Sequence, residues 1–115
     1  MLYIESDNKI RLTRGDTARL EINVTTADES GSITDYKILP EDTLTLSVKK
    51  KAKDSTYILQ KTINGSTVFH IKPEDTRGVS FGTYVYDVQL TTSDGDVYTI
   101  IEPTSFEIMT EVTTT

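Results

Sequence analysis

An all-β fold, built as an antiparallel sandwich, is what this sequence predicts. Three observations carry that expectation. Apolar and polar residues alternate with period two along most of the chain. Turn-forming residues interrupt the alternation at intervals of roughly 8–12 residues, the spacing of sandwich strands. Helical periodicity is nearly absent, with one short exception at 73–78.

The strands follow in order. Ile10 and Leu12 alternate with Lys9, Arg11 and Thr13, and Leu20, Ile22 and Val24 alternate with Arg19, Glu21 and Asn23. Arg14-Gly15-Asp16 breaks these two strands apart. Residues 26–42 are polar, carry Gly31 and Pro40, and read as a long connection with a short edge strand near Tyr36. Leu44, Leu46 and Val48 alternate with Thr45, Ser47 and Lys49, and the lysine-rich run 49–54 reads as a solvated strand end and turn. Segment 56–63 is a strand of open register, because Tyr57, Ile58 and Leu59 are consecutive apolar residues. Phe69 and Ile71 share one face, as do Tyr84, Tyr86, Val88 and Leu90, and as do Phe106 and Ile108. Each such face belongs in a core. Asn64-Gly65 and Asp94-Gly95 are read as hairpin turns of type I′, which need φ > 0 at both central residues. The second joins 83–92 to 96–101. At 73–78, Pro73 suits a first helical position, Glu74 and Asp75 suit the N-terminal end, and Gly78 suits the stop. The expected total is about seven to nine strands.

The 115 residues make one domain, expected to span 1–112 with 113–115 as a frayed tail. Net charge is −6, from 12 basic and 18 acidic residues, which disfavours a nucleic-acid or anionic-membrane surface. There is no cysteine, so neither a disulfide framework nor thiolate chemistry is available. No apolar run approaches the roughly 20 residues of a membrane span, and MLYIESDNKIRL lacks the charged start and apolar core of a signal peptide.

Two resemblances sit on the same residues. Asp75 in a helical turn, then Gly82, Tyr84 and Tyr86, stand in places comparable to those of immunoglobulin-like domains. That resemblance implies that Tyr84 is a tyrosine-corner residue, its hydroxyl returning to backbone near 73–78, and that Tyr86 stands where the second core cysteine normally does. The absence of cysteine and tryptophan sets the chain apart from antibody domains. More specifically, RGDTARLEI (14–22), PEDTLTLSVKK (40–50), LQKTI (59–63), IKPEDT (71–76), GTYVYDVQLTTSDGDVYTI (82–100) and FEIMTEVT (106–113) resemble small phage and prophage structural proteins of Gram-positive bacteria. The run is similar above all to the immunoglobulin-like N-terminal domain of phage baseplate upper proteins. This resemblance implies an immunoglobulin-like sandwich that packs in a virion, made in the cytoplasm of a bacterial host, with other phage structural proteins as partners, self-association included, and without cofactor or catalysis.

Several motifs invite sharper functions. Arg14-Gly15-Asp16 spells an integrin-type tripeptide, but a turn explains it through Gly15 and Asp16. Asp94, Asp96 and Glu102 with Ser93 sketch a calcium cluster, yet a hairpin tip offers fewer than the six to eight oxygens the ion takes. Glu41-Asp42 and Glu74-Asp75 each sit in a Pro-Glu-Asp-Thr context that suits turns and caps. His70, the single histidine, falls on a polar face and finds no second transition-metal ligand of its kind. No nucleophile elbow and no phosphate loop is present, so the chain is not expected to be an enzyme.

Of the six tyrosines, Tyr3, Tyr36, Tyr57 and Tyr98 are the candidates for an exposed docking or ligand patch. Partial burial on a pleated sheet is the plain alternative for each. The rival expectation to a virion module is a carbohydrate-binding or adhesin-type surface module, which needs two or three exposed aromatics in a row. The lack of tryptophan counts against it.

Overall fold

A computed structural model describes residues 2–27 and 29–112, and the expected fraying of 113–115 lies outside the described residues. The strands are β1 (Leu2–Ile4), β2 (Ile10–Thr13), β3 (Ala18–Glu21), β4 (Thr25–Ala27), β5 (Ile33–Asp35), β6 (Thr43–Lys49), β7 (Leu59–Asn64), β8 (Val68–Ile71), β9 (Gly82–Thr91) and β10 (Val97–Met109). One helix, α1 (Pro73–Arg77), lies between β8 and β9. The chain is therefore all-β, as expected.

Six strands form the main sheet in the order β1-β2-β10-β9-β6-β7. A second layer consists of β3 and β8, paired antiparallel. The two layers share one core, in which Ile10, Leu12, Leu46, Phe69, Ile71, Val88 and Phe106 are fully buried. The apolar residue of each alternating pair faces inward, so the period-two pattern translates directly into this core. The β4–β5 hairpin is exposed at every described strand position and stands off the core.

Five expectations change. Ten strands form among the described residues where about seven to nine were expected, because short β1, β4 and β5 pair as well. β2 and β10 pair in parallel, so the main sheet is not wholly antiparallel. Segments 96–101 and 106–108 are one strand, β10, interrupted by register shifts against β9 at Thr99/Ile101 and Ile101/Thr104. Each shift inserts a residue and restores the inward face beyond it.

Asn64-Gly65 is not a hairpin turn. β7 pairs with β6 and β8 with β3, so the chain crosses between layers here. Gly65 alone takes positive φ (64°), donates its N–H to the Asp42 carbonyl at 3.0 Å, and would place a Cβ 3.2 Å from Pro40 Cα. Asp94-Gly95 does close a hairpin, but by a three-residue loop. Thr92 N–H bonds to Asp96 O, Gly95 N–H bonds to Thr92 O, and only Gly95 has positive φ (87°).

Polar groups fix the ends of the two layers. Asp42, 2% exposed, accepts the Tyr36 hydroxyl at 2.7 Å and the Leu39 N–H at 2.9 Å. Lys61 pairs with Leu46, so it lies on the inner face of an edge strand, and its Nζ reaches Asp75 of α1 at 2.6 Å. Asp75 also accepts the Lys72 N–H at 2.7 Å, capping α1. Burial pushes the Asp75 carboxyl up, but the bonds from Lys61 and the Lys72 amide outweigh it and hold it below the usual carboxylate range.

Two predictions follow from these groups. Asp42→Ala leaves the Tyr36 hydroxyl and the Leu39 amide without their acceptor, and should lower unfolding free energy by about 2–3 kcal/mol in urea. Because the folded pKa of Asp75 is depressed, its contribution is complete above the unfolded value of about 3.9 and is lost as pH falls through the folded one. Asp75→Asn should therefore flatten the acid limb of a stability–pH curve, and an unchanged limb would sink the assignment.

Candidate functional site

The outer face of the main sheet carries a groove of about 230 Å³ between β6 and β9. Its floor is made by residues that alternate with the core. Thr45, Ser47 and Lys49 come from β6, and Val85, Asp87 and Gln89 from β9, paired Thr45 with Gln89, Ser47 with Asp87 and Lys49 with Val85. One wall is the loop after β6, which supplies Ala52 and Tyr57. The opposite wall is Pro103, carried outward between the inward-facing Ile101 and Thr104 by the second irregularity of β10. A proline at a bulge gives up no ladder hydrogen bond. Gln60 of β7 closes the groove laterally and donates to Ser47 Oγ at 3.0 Å.

The charges in the groove are one of each sign. Lys49 Nζ sits 4.9 Å from the centre of the Tyr57 ring, a cation–π contact. Burial pushes the Asp87 carboxyl up, and Lys49 partly offsets this. Among the described residues, the Asp87 carboxylate accepts no hydrogen bond and makes no ion pair within 4.0 Å.

The four candidate tyrosines do not form one patch. Tyr3 lies on β1 opposite Arg11, whose guanidinium carbon is 5.9 Å from its ring centre. Tyr57 stands by β7 at the other edge of the sheet, roughly 24 Å away across five strand spacings. Tyr36 is half-buried against the core and bonded to Asp42. Tyr98 pairs with Leu90, on the core side of β10 where it runs out from under the second layer.

Tyr84 and Tyr86 are both core residues. The Tyr84 hydroxyl donates to the Ser80 carbonyl at 2.7 Å, two residues beyond Gly78, and Gly82 (φ 144°) opens β9. Tyr86 packs edge-on against Phe106 at 5.8 Å and donates to the carbonyl of Asn8 in the β1–β2 turn. Burial, with a smaller push from Asp7, raises its phenol to about 12.

The Arg14-Gly15-Asp16 turn is tied into the fold. Arg14 bonds Glu111 through Nη2 at 2.9 Å and Nε at 3.1 Å, bonds the Val79 carbonyl at 3.1 Å, and stacks on Phe81 at 4.0 Å. The Gly15 N–H donates to Oγ1 of Thr76, a fully buried residue of α1. Asp94, Asp96 and Glu102 are exposed, and among the described residues no three His, Cys, Asp or Glu side chains gather as a metal set. His70 is exposed on β8 opposite Arg19.

Sequence reasoning missed Lys61 and Asp87, and read Asp42 and Arg14 as turn residues without the contacts to Tyr36 and to Glu111 that the fold gives them. Of the two missed, Asp87 carried a signal, as the one charge at the centre of the otherwise uncharged YVYDVQL strand. Searches of protein-family models, curated proteins and solved structures find no match to this chain.

Lysine offers a point charge in place of the planar guanidinium fork. Arg14→Lys should therefore lower the melting temperature by a few degrees, whereas Tyr3→Ala should leave it unchanged. Equal melting temperatures for the two variants in a calorimetric scan would remove the structural role given to Arg14.

Proposed function

We propose that this chain is an immunoglobulin-like sandwich and a non-catalytic structural module of a phage or prophage virion, docking to other proteins of a tail or baseplate. The topology supports the fold reading. The last strand pairs antiparallel with its predecessor and parallel with an N-terminal strand, across from a smaller layer. The bond from Tyr84 to Ser80 has the form of a tyrosine corner. The virion reading is supported by the resemblance of the GTYVYDVQLTTSDGDVYTI hairpin.

The observation that carries docking is the unpaired edge of β3. Ile22 N–H bonds to Thr67 O at 2.8 Å in the same register as β3–β8, so the even-numbered residues of β3 face β8. The main-chain groups of Arg19 and Glu21 then point the other way, to an edge where no strand is paired among the described residues. The edge strand β7 carries the inward charge of Lys61, a known protection against pairing, whereas β3 has no inward charge and is guarded only by its shortness and the outward Arg19 and Glu21. Near the opposite end of the main sheet, Ile4 pairs with buried Ile10 on the core face yet is 47% exposed. An added strand is the simplest way to complete a layer of two that faces six.

Light scattering across concentration should show self-association. Arg19→Pro removes an N–H that the monomer does not use in its ladder, so it should abolish association and leave the fold intact. A strict monomer that also captures no tail or baseplate protein would overturn the docking reading.

A further inference from the structure

We propose that the groove between β6 and β9 is a binding site for a neutral saccharide, one sugar ring or a short disaccharide lying along the strands. This goes beyond docking through β3, which belongs to the other layer and does not line the groove.

The polar inventory selects the ligand class. Asp87 presents a carboxylate without a hydrogen-bond donor among the described residues, and Gln89 presents an amide on the same strand face. Gln60 uses its Nε2 on Ser47, which leaves its Oε1 as an acceptor. Lys49 brings three N–H donors to the same floor, since its recorded contact is with the Tyr57 ring. A ligand that satisfies this set must donate and accept at neighbouring atoms, and vicinal hydroxyls do so.

Charge narrows the class further. A cationic ligand meets Lys49 and an anionic one meets Asp87, whereas a neutral polyol meets both as partners. Tyr57, a residue 46% exposed at the wall, offers ring surface beyond its Lys49 contact to the C–H face of a sugar ring. The groove, at about 230 Å³, is smaller than the roughly 300 Å³ at which pockets for drug-sized ligands begin. That size suits a ligand of about one sugar ring.

The site also has the mark of a position kept at some loss of stability. Partial burial of the Asp87 carboxylate, offset only in part by Lys49, pushes its pKa up and costs solvation that no hydrogen bond among the described residues returns. Asp87→Asn relieves this, so the variant should be at least as heat-stable as the parent.

The test is a titration of the full ¹⁵N-labelled chain with methyl glucoside, N-acetylglucosamine and maltose, each up to roughly 20 mM, the range where weak sugar affinities fall. At least one sugar should shift amides of 45–49, 57, 60 and 85–89 in a saturable way. Asp87→Asn and Tyr57→Ala should each weaken that binding about tenfold or more, while Tyr3→Ala, outside the groove, should not. The proposal is overturned by the absence of shifts with all three sugars, by shifts elsewhere, or by binding that both groove variants retain. Groove shifts that follow protein concentration without sugar would also overturn it, by assigning the surface to a second copy of the chain. Light scattering on Arg19→Pro separates this result from failure of the docking reading, because that variant leaves the groove residues in place.

Discussion

Two strands, β3 and β8, have to cover a sheet of six, and the rest of the molecule is arranged around that shortfall. Only the middle of the main sheet becomes dry, where β2, β10, β9 and β6 set Ile10, Phe106, Val88 and Leu46 against Phe69 and Ile71. Toward the edges, other groups must finish the inner face. Lys61 does so on β7 by turning its charge to Asp75, which joins the main sheet to α1. At the opposite side Tyr86 spans β10 and takes the Asn8 carbonyl, so the small β1–β2 turn is anchored by a phenol from the centre of the sheet. Both contacts place polar atoms where a fuller second layer would have buried apolar ones, and each polar atom is paired, as burial requires.

The long strand β10 shows how sheet geometry reaches the surface. Its first part follows β9 out of the hairpin, and its last part must also lie parallel beside β2. A strand of 13 residues that serves both neighbours has to twist, and the two register shifts supply that twist locally. Between them the inward face passes to odd-numbered Ile101, and the second shift returns it to Thr104, Phe106 and Ile108, in step with Tyr98. The same irregularity lifts Pro103 to the outer face, where it becomes a wall of the groove. The concavity over Asp87 is thus bounded by the residue at which the inward face changes from Ile101 to Thr104.

Period-two alternation made the core legible, down to Leu20, Leu46, Phe69, Val88 and Phe106. What it could not convey is which strand neighbours which. Asn64-Gly65 has the local chemistry of a hairpin, and Gly65 does take positive φ, but the pairing of β7 with β6 sends the chain to the other layer. The continuity of β10 across Ile101–Thr104 is hidden for a related reason, since Pro103 reads locally as a break. Lys61 looks solvent-facing beside Thr62 until β6 sets its register, and Asp42 looks like a turn residue until Tyr36 and Leu39 close over it. Each of these depends on a contact that no window of the sequence contains. For the site, the tyrosines were visible but their separation was not, because Tyr3 and Tyr57 are placed by opposite edges of one sheet.

The two surfaces proposed for function are compatible because the layers separate them. The β3 edge belongs to the second layer, and a strand added there extends that layer sideways. The groove opens on the far side of the main sheet, with the whole core between. Docking through backbone ladders and ligand contact through outward side chains therefore draw on different atoms of different strands, and neither has to give way to the other. The loop 50–58 fixes the groove's aromatic wall. Ile58 N–H bonds back to Val48 O at 2.7 Å, which holds Tyr57 over Lys49 at the end of β6. The aromatic wall is thus set by the same ladder that fixes Leu46 and Val48 in the core. The groove should keep its shape for as long as the main sheet is folded, whatever is bound at the β3 edge.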